Sequence, residues 1–117
     1  MVPLGPVIDP EWALYHLQRA LWDPVDRRQL GSLRPELQFR VNGEVYRFSS
    51  DRTMRRFMRY PTRWCGTVRD PVTGRRFVPT KGSPEAYWIG GPYFFESDST
   101  KSRFVDDPYR YQIIRRM

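Results

Sequence analysis

The chain has 117 residues, of which 39% are hydrophobic and 15% aromatic, a composition typical of a folded domain and not of a disordered segment. Twenty Lys and Arg against thirteen Asp and Glu give a formal net charge of +7, which favours an anionic partner. No stretch approaches the ~20 apolar residues of a membrane-spanning helix, and a single cysteine, Cys65, excludes an internal disulfide. The N-terminus lacks the pattern of a secretory signal, so we expect a cytoplasmic protein.

The first predicted element is a helix near the N-terminus. Asp9 is a candidate N-cap, Pro10 suits the first helical position, and the helix continues from Glu11 to about Leu21 with leucines at helical spacing. We expect residues 1–22 to form a leader and a helix that packs on the rest of the chain.

The remaining chain contains an internal repeat. A shift of 47 residues aligns it with itself without a gap. The matched positions, first copy before second, are Asp23 and Asp70, Pro24 and Pro71, Val25 and Val72, Gly43 and Gly90, Tyr46 and Tyr93, Phe48 and Phe95, Ser50 and Ser97, Asp51 and Asp98, Thr53 and Thr100, Phe57 and Phe104, Pro61 and Pro108, Trp64 and Tyr111. We therefore interpret residues 23–64 as a first unit and residues 70–111 as a second unit of the same kind, joined by a short connector and followed by a tail at 112–117.

Each unit is predicted to form a β-hairpin. In the first unit the strands are Gln38 to Val41 and Glu44 to Phe48, joined by Asn42-Gly43, a pair that suits the two positive φ angles of a type I′ turn. In the second unit Gly90-Gly91 is expected to form the turn.

A short helix should follow each hairpin. Ser50 or Asp51 caps the first and Ser97 or Asp98 the second, while Pro61 and Pro108 stop them. The residues expected to pack on the hairpins are Met54, Phe57 and Met58 in the first unit and Phe104 and Val105 in the second. The segment from Tyr109 to Ile114 is predicted to be a final strand. The fold class is α+β, with two tandem repeats and an N-terminal helix packed on them.

The second unit resembles the YHS domain, a small module of the TRASH-like treble-clef group. The family pattern runs DPVCGM, a glycine turn, YFCS and then Cys, Phe, Pro and Tyr at fixed spacing. The matching residues here are Asp70, Pro71, Val72, Gly74, Gly90, Tyr93, Phe94, Phe95, Ser97, Phe104, Pro108 and Tyr111. YHS modules occur as accessory pieces of heavy-metal-transporting ATPases and multicomponent monooxygenases, so the resemblance implies an accessory role.

The metal-ligand cysteines of the family are missing. Their positions carry Asp26, Ser49 and Thr53 in the first unit and Thr73, Glu96 and Thr100 in the second. A structural zinc site typically uses four Cys or His ligands. We therefore predict no metal and no cofactor, with hydroxyl and carboxylate oxygens bonding the turn amides in place of the metal.

No catalytic constellation is evident. Cys65 and His16 are far apart in sequence, no serine lies in a nucleophile elbow, and no phosphate loop occurs. The sequence indicates that the protein is not an enzyme.

The clearest electrostatic feature is a run of arginines without an acid between residues 52 and 63. These residues are Arg52, Arg55, Arg56, Arg59 and Arg63. Their spacing predicts one side of a helix, and guanidinium groups suit two-pronged contact with carboxylate or phosphate.

Three functions remain open from the sequence. The first is a non-catalytic interaction module, an accessory subunit or adaptor that docks on an acidic protein surface through these arginines. The second is a small nucleic-acid-binding protein that uses the same arginines, and the third is a metal-handling protein with oxygen ligands. A solvated, non-functional arginine face is the simpler interpretation of the run.

Overall fold

The computed structural model describes residues 22–112. The helix predicted for Glu11 to Leu21, and the tail beyond Gln112, lie outside the described residues. The elements are a 3-10 helix (Pro35–Leu37), β1 (Gln38–Val41), β2 (Glu44–Arg47), α1 (Asp51–Arg59), α2 (Pro61–Trp64), β3 (Val68–Arg69), β4 (Arg76–Phe77), β5 (Glu85–Trp88), β6 (Gly91–Phe94), α3 (Asp98–Asp106) and α4 (Pro108–Tyr111). Helices thus combine with small antiparallel sheets, and the predicted α+β class is confirmed.

The elements of the two units follow the 47-residue shift. β5, β6, α3 and α4 begin and end 47 residues after β1, β2, α1 and α2. The connector is not a plain linker, since it contains β3, which pairs antiparallel with β4.

The first hairpin forms as predicted, with Gln38 opposite Arg47 and Val41 opposite Glu44. Both residues of its turn have positive φ, 50° at Asn42 and 76° at Gly43, as a type I′ turn requires.

The predicted Gly90-Gly91 turn is wrong by one residue. Ile89 and Gly90 form the turn between β5 and β6, and Gly91 is the first residue of β6. Gly91 is needed for a different reason, because a Cβ there would lie 2.2 Å from the carbonyl oxygen of Arg40 in β1. The glycine lets the two hairpins approach each other closely.

Serine caps start both longer helices. Ser50 Oγ accepts a hydrogen bond from Thr53 N at 3.3 Å, and Ser97 Oγ accepts one from Thr100 N at 3.2 Å. The longer helices end before Pro61 and Pro108, as predicted, but each proline then occupies the first turn of a new four-residue helix.

The predicted strand from Tyr109 to Ile114 is therefore wrong over its described part. Residues 109–111 belong to α4, because Pro108 suits the start of a helix as well as the end of the preceding one.

Each unit has an aromatic core around one helical phenylalanine. Phe57 of α1 lies 4.9 Å from the Tyr46 ring and 5.1 Å from the Phe48 ring, measured between centroids. The second unit repeats this arrangement with Phe104 against Tyr93 and Phe95, at 4.8 and 5.3 Å.

Two helical positions expected in the core are exposed instead. Met58 and Val105 are 47% and 56% accessible, whereas Met54 packs against the first core as predicted. α1 and α3 are only nine residues long, and their buried residues are Phe57 in α1 and Thr100 with Phe104 in α3. Cys65 is fully buried in the first core.

Asn42 joins the two units. Its Nδ2 donates to the carbonyl oxygens of Arg69 at 2.8 Å and Phe94 at 2.9 Å, and its Oδ1 accepts from Phe94 N at 2.7 Å. The Phe94 side chain packs in the core of the first unit. The two units therefore share both hydrogen bonds and apolar packing.

None of the helices within residues 22–112 is long and apolar enough to cross a membrane.

Candidate anion-binding groove

A buried aspartate organises the start of each unit. In the first unit Asp23 is fully buried, and its Oδ1 accepts hydrogen bonds from the backbone N–H groups of Val25 and Asp26, at 2.8 and 3.1 Å. Its Oδ2 accepts from Ser49 N at 2.9 Å, Ser49 Oγ at 2.8 Å and Thr53 Oγ1 at 2.5 Å. Hydrogen bonds to one carboxylate thus connect the first turn, the residue after the hairpin and the start of α1.

These hydrogen bonds decide the ionisation of Asp23. Burial by itself raises the pKa of the carboxyl group, because the charged form loses its hydration. The hydrogen bonds from the Thr53 hydroxyl, from the backbone N–H groups of Ser49 and Asp26, and from the Ser49 hydroxyl outweigh that effect, so the pKa lies below its ordinary value of 3.8. Asp23 is therefore a carboxylate at neutral pH.

The second unit contains the same arrangement around Asp70. Asp70 is fully buried and accepts from Val72 N and Thr73 N through Oδ1, and from Glu96 N and Thr100 Oγ1 through Oδ2 at 3.0 and 2.8 Å. The residues at positions 26, 49 and 53 of the first unit, and at 73, 96 and 100 of the second, thus gather around an aspartate. Within residues 22–112 no three His, Cys, Asp or Glu side chains lie close enough to hold a metal ion.

The first unit has an open groove of about 1000 Å³ beside this aspartate. One wall is the loop at residues 24–29, and the other is the first half of α1 together with α2. A volume of this size lies at the upper end of the ~300–1,000 Å³ typical of ligand pockets.

Arginine dominates the charge of the groove. Five arginines line it: Arg27, Arg28, Arg52, Arg56 and Arg63. Asp26 is the one carboxylate in the lining, and it pairs with Arg28 at 3.2 Å. No carboxylate of the described residues lies within ion-pair distance of the other four guanidinium groups.

Trp64 orients two of these arginines. The guanidinium carbon of Arg63 lies 4.8 Å from the centroid of the Trp64 ring, and that of Arg56 lies 5.8 Å from it. Cation–π contacts of this kind are worth about 0.5–1 kcal/mol at exposed sites, enough to restrict where the side chains lie. The ring therefore holds positive charge at the end of the groove.

The five arginines predicted from the sequence divide into two groups. Arg52, Arg56 and Arg63 line the groove, whereas Arg55 and Arg59 are exposed outside its lining. The expectation of a single helix face is wrong, because α1 ends at Arg59 and Arg63 lies on α2.

The sequence pattern did not indicate Arg27 and Arg28 as groove residues, nor Asp51 as an acid that neutralises part of the run. Asp51 directly precedes the run and pairs with Arg55 at 2.8 Å. Arg27 and Arg28 were outside the run because they lie in the loop after the first Asp-Pro-Val turn. Their adjacency in sequence was the available signal, but only the hydrogen bonds of Asp23 place that loop against α1.

The corresponding surface of the second unit is less basic. The positions of Arg27 and Arg52 carry Gly74 and Ser99, and the position of Ser49 carries Glu96. Glu96 Oε2 lies 3.3 Å from Arg75 and accepts a hydrogen bond from Thr73 Oγ1 at 3.0 Å. Of the five arginine positions of the groove, the second unit therefore keeps three, Arg75, Arg103 and Arg110.

Comparisons of the chain with family models, with curated proteins and with solved structures found no match.

Proposed function

We propose that the protein is a non-catalytic interaction module, an accessory subunit or adaptor of a larger complex, which docks on an acidic protein surface through the arginines of the first unit. The observation that carries the proposal is the concentration of Arg27, Arg52, Arg56 and Arg63 around one groove without a partner carboxylate among the described residues. Like charges gathered in this way repel each other, and an anionic partner relieves the repulsion. The resemblance to YHS modules supports an accessory role in a metal- or oxygenase-related system, and we place the protein in the cytoplasm.

A protein partner suits the groove better than nucleic acid does. Sequence-tolerant binding of single strands depends on aromatic rings that stack on bases. In the groove, the Trp64 ring is already in contact with Arg63 and Arg56.

Exposed aromatic residues support the nucleic-acid alternative. The sequence pattern gave no sign of them, yet Tyr60, Tyr87 and Tyr109 are 49%, 73% and 69% accessible. None of the three lines the groove. The alternative therefore requires an anionic backbone in the groove and bases stacked elsewhere on the surface.

A metal-handling role with oxygen ligands is the second alternative, with Asp26 and Glu96 as the carboxylates at former ligand positions. Both already have arginine partners, Arg28 and Arg75. Metal analysis of the protein purified without chelators tests this role, because the role requires a bound ion and the first two functions do not.

Capture from native lysate tests the proposal. With the intact protein as bait at low and moderate salt, we expect a defined acidic protein that is retained after nuclease treatment and released as salt rises, because exposed charges are screened over ~10 Å at 0.1 M salt. Loss of all captured material after nuclease treatment would contradict the proposal and favour nucleic acid.

A further inference from the structure

We infer that the groove is a binding site for an acidic peptide segment, and that the uncharged residue at position 49 strengthens this binding. This inference rests on the proposed function and specifies which part of the partner is recognised. The groove would take an extended segment rich in Asp or Glu, whose carboxylates pair with Arg27, Arg52, Arg56 and Arg63.

The comparison of the two units within this chain carries the inference. Ser49 N donates to Asp23 Oδ2 at 2.9 Å, and Glu96 N donates to Asp70 Oδ2 at 3.0 Å, so the two residues occupy the same place in their units. The side chains differ in charge. Glu96 brings a carboxylate to Arg75 in the second unit, whereas Ser49 leaves the first groove without an acid at that place.

In the second unit a glutamate at this position reaches an arginine, since Glu96 pairs with Arg75. Arg28 and Arg75 are equivalent under the 47-residue shift, as are Arg56 and Arg103, and Arg63 and Arg110. Arg110 also lies over its neighbouring ring, 5.3 Å from the centroid of Tyr111. The basic residues of the groove are therefore partly repeated. Arg75 pairs with Glu96 and its equivalent Arg28 pairs with Asp26, so each unit has one acid here, and a glutamate at position 49 would add a second carboxylate to the first groove.

The arginines that line the groove come from two separate segments. Arg27 and Arg28 belong to the loop and Arg52 and Arg56 to α1, so a segment bound between them can pair with both. Carboxylates accept two parallel hydrogen bonds from a guanidinium group and need no aromatic platform. The occupied face of Trp64 favours this ligand over a base-stacking one.

The experiment compares Ser49→Glu with Ser49→Gln in the full chain. Both variants lose the Ser49 hydroxyl that donates to Asp23 and add a side chain of the same size, so their difference isolates the charge. A fluorescein-labelled oligoglutamate peptide is the probe, with an oligothymidylate of matched net charge as the comparison, and both are titrated at low and moderate salt.

We expect oligoglutamate to bind Ser49→Glu up to about fivefold more weakly than Ser49→Gln, since an exposed charge pair is worth at most about 1 kcal/mol. The double variant Arg56→Gln with Arg63→Gln should bind oligoglutamate more weakly than the wild-type protein. The double variant Arg103→Gln with Arg110→Gln, at the equivalent positions of the second unit, should bind it as the wild-type protein does. Thermal unfolding of each variant shows whether it is folded, so that weaker binding is not mistaken for a loss of structure.

Three results would overturn the inference: no binding of oligoglutamate by the wild-type protein, equal binding by the two position-49 variants, or tighter binding of oligothymidylate than of oligoglutamate. The proposed function fails separately. If a nuclease-resistant acidic partner is captured while the two position-49 variants bind oligoglutamate equally, the proposed function stands and only the inference about the peptide and position 49 fails.

Discussion

Replacement of Asp23 by asparagine is expected to lower the free energy of unfolding by about 2–4 kcal/mol, the cost of leaving several buried donors without a charged acceptor. An amide nitrogen in place of Oδ2 would face the donors of Ser49 and Thr53, which now approach to between 2.5 and 2.9 Å. For a domain of this size each kcal/mol corresponds to roughly 4–8 °C in Tm. Thermal and urea unfolding, followed by circular dichroism, measure the change.

Asp26→Asn is the matched control. Asp26 lies three residues away in the same loop, and its carboxylate pairs with the exposed Arg28. We expect a change within about 0.5 kcal/mol, as for most surface substitutions. Equal stability of Asp23→Asn and Asp26→Asn would show that the buried carboxylate does not hold the unit together.

Acid should reduce the difference between Asp23→Asn and the wild-type protein. The pKa of Asp23 in the folded protein lies below its ordinary value of 3.8. The stabilisation by the carboxylate is therefore complete well above pH 3.8 and is lost as the pH falls through the lower folded value. Unfolding measured across this range should give the largest difference near neutrality.

Replacement of Asn42 by aspartate is expected to destabilise the protein by about 3 kcal/mol, since it places an unpaired buried charge between the two units. Aspartate keeps the size of asparagine and tolerates the positive φ of 50° at this position. Its second oxygen would face the carbonyl oxygens of Arg69 and Phe94, which now accept hydrogen bonds from Nδ2 at 2.8 and 2.9 Å. Urea unfolding measures the loss.

Ile89→Asp provides the control at the equivalent turn of the second unit. Ile89 is 68% exposed, so an aspartate there remains hydrated and should change the free energy of unfolding by less than about 0.5 kcal/mol. Similar stability of Asn42→Asp and Ile89→Asp would contradict the role of Asn42 in joining the units.

The elements that depend on local chemistry could be predicted from the sequence. The cap residues Ser50 and Ser97, and the turn at Asn42-Gly43, each satisfy backbone groups within a few residues of themselves. The 47-residue shift predicted the elements of the second unit from those of the first, so their prediction did not depend only on the weaker turn and helix signals of the second unit.

Features that depend on contacts between distant residues could not be predicted. Asn42 reads as a turn residue in the sequence, yet its side chain bonds to Phe94, 52 residues further along. Likewise, Gly91 resembled a turn glycine, and only the approach of Arg40 in β1 explains why no Cβ fits there.

The candidate site was predicted in part for the same reason. Arg52 and Arg56 follow from helical spacing, but the path of the loop that carries Arg27 and Arg28 is set by hydrogen bonds to a buried carboxylate. Helical spacing also groups Arg55 and Arg59 with the others, although they lie outside the groove lining. Charge in the sequence therefore indicated the unit that carries the groove and not the full set of arginines that line it.

The most direct test of the central claim, that the arginines of the first unit dock the partner, is capture from nuclease-treated lysate with two matched baits. One bait carries Arg56→Gln with Arg63→Gln, and the other carries Arg103→Gln with Arg110→Gln at the equivalent positions of the second unit. The total charge of the two baits is the same. We expect the first bait to lose the partner and the second to retain it; equal capture by both would contradict the claim.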